Sequence, residues 1–167
     1  MELQICHVGD QNEAPLFSVV RSGDLKRTAP VSLPSPVSFP VGDDATRGLL
    51  PRLRWYLEGY LQAPFGAYRQ SAQAVAETLQ AWGGAVFDRL FVGQAQNWYQ
   101  TARGQSFQDF RIKITSDSPE IMAWPWEALY SREDGYLALR FPVERQLSTA
   151  LGAPCSMRNW LKEKSRS

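Results

Sequence analysis

The chain has 167 residues, 44% of them hydrophobic and 12% aromatic, which is about one domain's length with enough apolar surface for a core, so wholesale disorder is excluded. Lys and Arg number 18 against 17 Asp and Glu, a net charge of +1 that excludes a polybasic, phosphate-neutralising coat as the main theme. Two cysteines, Cys6 and Cys155, and a single histidine, His7, supply neither a disulfide framework nor a four-ligand zinc site, and composition points away from a self-sufficient enzyme.

Residues 1–5 carry no basic region followed by a long apolar stretch, and no run approaches the ~18–20 apolar residues of a membrane span. With two sparse cysteines, the expectation is a soluble, cytoplasmic protein. Prolines 15, 30, 34, 36 and 40 crowd the region that follows and mark strand ends and edges, because proline has no N–H for a ladder. Phe17–Arg21 reads as a strand, Ser22-Gly23-Asp24 as a turn, and Val37, Phe39 and Val41 alternate with polar or proline positions as a second strand. Together they predict a small N-terminal β-layer over residues 1–47.

From Asp43 the period changes. Asp43-Asp44 offers a cap, and Pro51 suits the first turn of a helix whose buried face would hold Leu50, Leu53, Leu57, Tyr60 and Leu61. Pro64 ends it. A second helix is expected from about Phe65 to Trp82, with Tyr68, Ala72, Val75, Ala76, Leu79 and Trp82 on one side and Gly83-Gly84 as its break. Short helices follow over Val86–Phe91 and about Ala95–Ala102. Phe110–Thr115 returns to strand chemistry with Phe110, Ile112 and Ile114 on one face. Ser118 or Pro119 opens a short helix, Asp134-Gly135 makes a turn, and Val143–Leu147 is a strand. The tail from residue 148 is basic and reads as a frayed or disordered end. The class predicted is mixed α/β: an N-terminal β-layer, a helical segment, then strand, short helix and strand.

The groups able to do chemistry are few. A thiolate nucleophile needs a base within about 2.6–3.2 Å, and Cys6 and His7 are sequence neighbours whose side chains, if they sat on a strand, would point to opposite faces. Cys6 then reads as a small apolar filler and His7 as an exposed or capping group; a Cys155–His7 pair would need an unpredicted long-range contact. Asp43-Asp44 reads as a cap rather than a cation site, and Glu133-Asp134 as a solvated hairpin tip. Trp124, Trp126 and Tyr130 would stack on bases or pack a core; with no basic groove around them, the core is favoured. Glu127 falls in a first helical turn, where the dipole favours a carboxylate, with Arg140 or Arg145 as its counter-ion; its expected role is fold stabilisation. Gly83-Gly84 lacks the further residues of a phosphate loop. No metal site and no cofactor are expected.

Trp124-Pro125-Trp126-Glu127-Ala128-Leu129-Tyr130, an acidic glycine turn, Tyr136-Leu137-Ala138-Leu139 and a strand carrying Arg145 together resemble the CHAT family, caspase-like domains often joined to TPR repeats. Gly84–Phe91 is similar to that family's Gly-x-x-Leu-Phe element, and Phe110–Thr115 to its preceding strand. The likeness spans roughly residues 48–147; Ala128 and Trp124 depart from it, standing where Leu is usual. It implies a caspase-like sheet, incomplete here, in which Trp124, Pro125, Trp126, Glu127, Leu129, Tyr130, Leu137 and Arg145 are structural motif residues. It also implies that the family's catalytic His and Cys would lie C-terminal to the last strand, where this sequence has a polar basic tail and no histidine. The expected function is a non-catalytic scaffold or fragment. Its partners would be proteins: the missing caspase-like half, a TPR-containing or other signalling partner, or a second copy. Membrane and nucleic acid are not expected. A stand-alone adaptor in a bacterial signalling or defence assembly is the alternative, and a hydrolase using Cys155 and His7 a third.

Overall fold

The structure is a computed structural model that describes residues 1–148 except 13, 24, 25, 43, 67 and 105–109, together with the side chains of 44–46 left aside. In chain order the strands are β1 (Glu2–Gln11), β2 (Ala14–Arg21), β3 (Val31–Ser32), β4 (Pro40–Val41), β5 (Asp44–Gly48), β6 (Arg111–Ser116), β7 (Tyr130–Ser131), β8 (Gly135–Tyr136) and β9 (Val143–Leu147). The helices are α1 (Leu49–Glu58), α2 (Arg69–Leu90), α3 (Gln94–Arg103) and α4 (Pro119–Met122), with single 3-10 turns at Tyr60–Gln62, Trp126–Ala128 and Leu137–Leu139. The expected mixed α/β class is what the chain adopts.

One five-stranded mixed sheet has the order β3-β2-β1-β6-β9, so the N-terminal strands share a sheet with the late ones. Its centre is β1, a strand the sequence reading did not include, which pairs antiparallel with β2 and parallel with β6. Alternation along β1 supplies both faces. Leu3 and Ile5 enter the main core with Phe17, Val19, Ile112 and Ile114, while Cys6 and Val8 form a smaller cluster with Val20 on the other side. On that second face Gln4 Nε2 donates to Thr115 Oγ1 at 2.9 Å, which satisfies two buried polar groups. The strand read over Phe110–Thr115 is β6, with Phe110, Ile112 and Ile114 buried as expected. Each such side chain contributes about 1.5–3 kcal/mol of transfer free energy.

Three expectations are corrected. Val37–Val41 is not one strand: only Pro40–Val41 extends, and residues 36–38 turn. The carbonyls of Pro36 and Phe39 serve helix α1 instead, since Leu50 N–H donates to Pro36 O at 2.9 Å and Leu49 N–H to Phe39 O at 2.8 Å, satisfying two of the amides a helix start leaves orphaned. Within α1 the buried face runs through Leu49, Leu53 and Tyr56, whereas Leu57 and Leu61 are exposed; the helix ends at Glu58, and Tyr60–Gln62 tightens into a 3-10 turn that breaks the period. Finally, Gly83-Gly84 does not interrupt its helix, which starts at Arg69 rather than Phe65 and continues to Leu90, 22 residues in all.

The reason for the glycine lies across the interface. A Cβ built on Gly83 would stand 1.8 Å from the Ala128 carbonyl oxygen, whereas one on Gly84 meets nothing within 4 Å. The first glycine is there so that α2 can approach a peptide group; the second faces open space. Trp82 fixes the helix further, its indole N–H donating to Pro34 O at 2.9 Å. The two adjacent positions should therefore respond in opposite directions. Gly83→Ala is expected to cost about 1–3 kcal/mol in urea melts, as overpacking against backbone. Gly84→Ala is expected to gain roughly 0.5–1 kcal/mol from helix propensity; equal effects at both positions would contradict the close approach.

Candidate functional site

The segment that carried the resemblance is a packed knot beside the sheet. Ser118 caps α4, its side chain accepting from Ile121 N–H, with Pro119 opening the helix as expected. After α4 the chain reverses at Pro125. Trp124 and Trp126 stack with ring centroids 5.6 Å apart, and both meet Phe17 of β2 and Trp82 of α2. Both indoles are buried, as are Leu129 and Leu137, and Trp126 donates its N–H to Ile121 O at 2.8 Å. Tyr130, half-buried, packs edge-on against Tyr136. Core packing is thus what these aromatic side chains do.

Glu127 finds one of its two expected partners. Arg145 reaches back from β9, its Nε donating to Glu127 Oε1 at 3.1 Å and its Nη2 to Oε2, while its Nη1 donates to Met122 O at 2.6 Å. One guanidinium thereby ties the edge strand to α4 and to the proline turn. Both charges are substantially exposed, so the pair stabilises by at most about 1 kcal/mol. The other candidate, Arg140, goes elsewhere.

It goes to Asp134, which is not a solvated hairpin tip. The β7–β8 turn forms where Asp134-Gly135 predicts it, with Gly135 at φ 74°, yet the Asp134 side chain is 0% exposed. Its Oδ1 accepts from Arg140 Nη1 at 2.7 Å and from Arg103 Nη2 at 3.2 Å, and its Oδ2 accepts from the Tyr99 hydroxyl at 2.7 Å. Arg103 also pairs with Glu133. Burial, then the hydrogen bond to Asp134 and its negative charge, push the Tyr99 hydroxyl well above the ordinary tyrosine range. Sequence reasoning missed this cluster because Tyr99 and Arg103 lie on α3, more than thirty positions away, and Arg140 had been offered to Glu127.

His7 lies near the carboxyl ends of parallel strands β1 and β6, where open α/β sheets commonly bind ligands. Its ring is only 6% exposed, which corrects the exposed or capping role. Nδ1 lies 3.0 Å from Ser116 Oγ and 3.6 Å from Asp117 Oδ1, and Nε2 lies 3.4 Å from Asp10 Oδ1. Ser116 is itself buried and its Oγ accepts the Ser118 amide, so its hydroxyl is held in place beside the ring. Cys6 sits on the opposite face, packed with Val8 and Val20, and is disulfide-bonded, which corrects its reading as a plain apolar filler; Cys155 lies outside the described residues. A shallow groove of about 490 Å³ follows α2, lined by Glu77, Gln80, Ala81, Gly84, Ala85, Asp88, Tyr130 and Arg132, and brings no His or Cys. Among the described residues no cluster of His, Cys, Asp or Glu is arranged to hold a metal ion, and no helix is long and apolar enough to cross a membrane. Compared with known proteins, the chain matches no family model, no curated sequence and no solved structure.

Two measurements check this account. Asp134→Asn should cost roughly 2–4 kcal/mol in denaturant melts, because two guanidinium groups lose a buried counter-charge, whereas Glu127→Gln should cost at most about 1 kcal/mol. The raised Tyr99 group stabilises the fold fully below about pH 10, the unfolded tyrosine value. That stabilisation is lost as pH rises above it toward the folded value, since the unfolded chain then releases the proton first. Melting temperature should therefore fall steeply above about pH 10, and Tyr99→Phe should flatten that alkaline limb while lowering stability at neutral pH.

Proposed function

We propose that this chain is a non-catalytic, caspase-like scaffold of the CHAT type, acting in the cytoplasm and completed by a partner protein that adds a strand to its open sheet edge. The observation that carries the reading is the position of β9. Among the described residues it is the outer strand of the sheet on the side of the parallel pair, and Glu144–Leu147 are exposed. Ile112 N–H donates to Pro142 O, and Ser148 N–H to Ser116 O. In a parallel ladder this parity turns even-numbered positions toward β6 and leaves the N–H and C=O groups of Val143, Arg145 and Leu147 on the outer side. Such an edge is a template for another chain. The Glu127–Arg145 clamp holds it in register, which supports a structural role for the Pro-Trp-Glu segment. His7 itself is held by three oxygen partners, Ser116 Oγ, Asp117 Oδ1 and Asp10 Oδ1.

Sedimentation velocity over a concentration series tests the edge. Self-association at tens of micromolar, reduced by Leu147→Pro, is expected, because proline removes an outward donor without touching the bonds to β6. A monomer with high thermal stability at every concentration would count against an unfilled edge. Proteolysis of a peptide substrate by the purified chain, abolished by His7→Ala, would overturn the non-catalytic reading.

A further inference from the structure

The second face of the sheet is more deeply buried than its described neighbours explain. Its apolar cluster, Cys6, Val8, Val20 and Leu16, belongs wholly to β1 and β2, and among the described residues no helix adds to it. Yet Cys6 is 0% exposed, and so is Ser18, its register partner on β2. Two adjacent strands cannot cover their own face, so full enclosure there calls for another layer. Cys6 is moreover disulfide-bonded, and the sequence holds one other cysteine, Cys155. The distances agree. Leu147 of β9 pairs with Ser116, and the neighbouring Thr115 pairs with Cys6, so the end of β9 lies two strand spacings from Cys6, about 10 Å. The eight residue steps from Leu147 to Cys155 span up to about 26–29 Å when extended, enough to fold back over β6.

We infer that the segment around Cys155 docks on this second face and is latched there by a Cys6–Cys155 disulfide, so that reduction uncovers the face. Leu151, Pro154, Met157 and Trp160 flank the cysteine and supply apolar side chains for a cover. The corresponding segment of a second copy fits less well. The short connection from β9 holds Cys155 near its own Cys6 at an effective concentration in the millimolar range, above that of any other chain in dilute solution. The bond opens by exchange with a dithiol: its two sulfurs gain two electrons and two protons, and the dithiol leaves as a cyclic disulfide. It closes against a low-molecular-weight disulfide, which takes up the same two electrons and two protons and leaves as two thiols. The inference does not rest on the open β9 edge.

Peptide mapping of the unreduced full chain by mass spectrometry should recover residues 1–21 joined to residues 146–158, the tryptic pieces that carry the two cysteines, from a monomer. Two free thiols, or a disulfide-linked dimer, overturn the inference. Dithiothreitol should lower the melting temperature of the full chain by roughly 5–15 °C, because a cross-link closing so long a loop is lost, and should leave that of Cys155→Ser unchanged. A cover released by reduction also exposes the Cys6 thiol. In the reduced chain, and again in Cys155→Ser, a fluorescent maleimide should therefore label Cys6 in native buffer. A Cys6 that reacts only in urea has a cover independent of the latch and overturns the inference, as does a melting temperature indifferent to the reductant.

Discussion

At Gly83 the long helix meets the carbonyl of Ala128 with no side chain between them, and the arrangement of the central layer depends on that closeness. It places Trp82 against Trp124 and Trp126 and, through them, against Phe17 of the sheet. An indole buries about 150–250 Å², worth at most ~4–6 kcal/mol each at the usual area coefficient. The glycine in mid-helix costs only about 1 kcal/mol relative to alanine. The balance favours a helix that carries a weak helix former where the aromatic layer needs room.

Two arginine clamps then fix the periphery, and burial separates their weights. The Glu127–Arg145 pair is exposed to solvent, so water competes for both charges and its contribution is geometric: it orients β9 relative to the proline turn. Asp134 is enclosed, so its charge must be matched, and two guanidinium groups with a phenol do so. That cluster joins α3 to the β7–β8 hairpin and the residues leading to β9. The edge strand is therefore held from both sides by charge and from beneath by the parallel ladder.

This construction leaves β9 as the outer strand of the sheet among the described residues. The β9 edge offers directional backbone groups with charged side chains around them, and would select a strand by hydrogen bonding. His7, enclosed between Ser116 and two aspartates, braces the ends of the central parallel strands.

What the amino-acid order determined unaided was local. The alternation of Phe110, Ile112 and Ile114, the Ser118-Pro119 helix start, the α3 helix and the Asp134-Gly135 turn all follow from near neighbours, and each formed where its residues placed it. The CHAT-like reading rested on the same kind of signal, a short motif and its flanks. The tertiary structure alone decided that β1 is central, because a strand flanked on both sides and covered on both faces lacks a single clean apolar alternation. It decided that Gly83 continues a helix, since the carbonyl requiring it comes from forty-five positions away. It turned Asp134 inward and Leu57 outward, because burial depends on which distant surface arrives to cover a residue, and that information is absent from the residue's own surroundings in the chain.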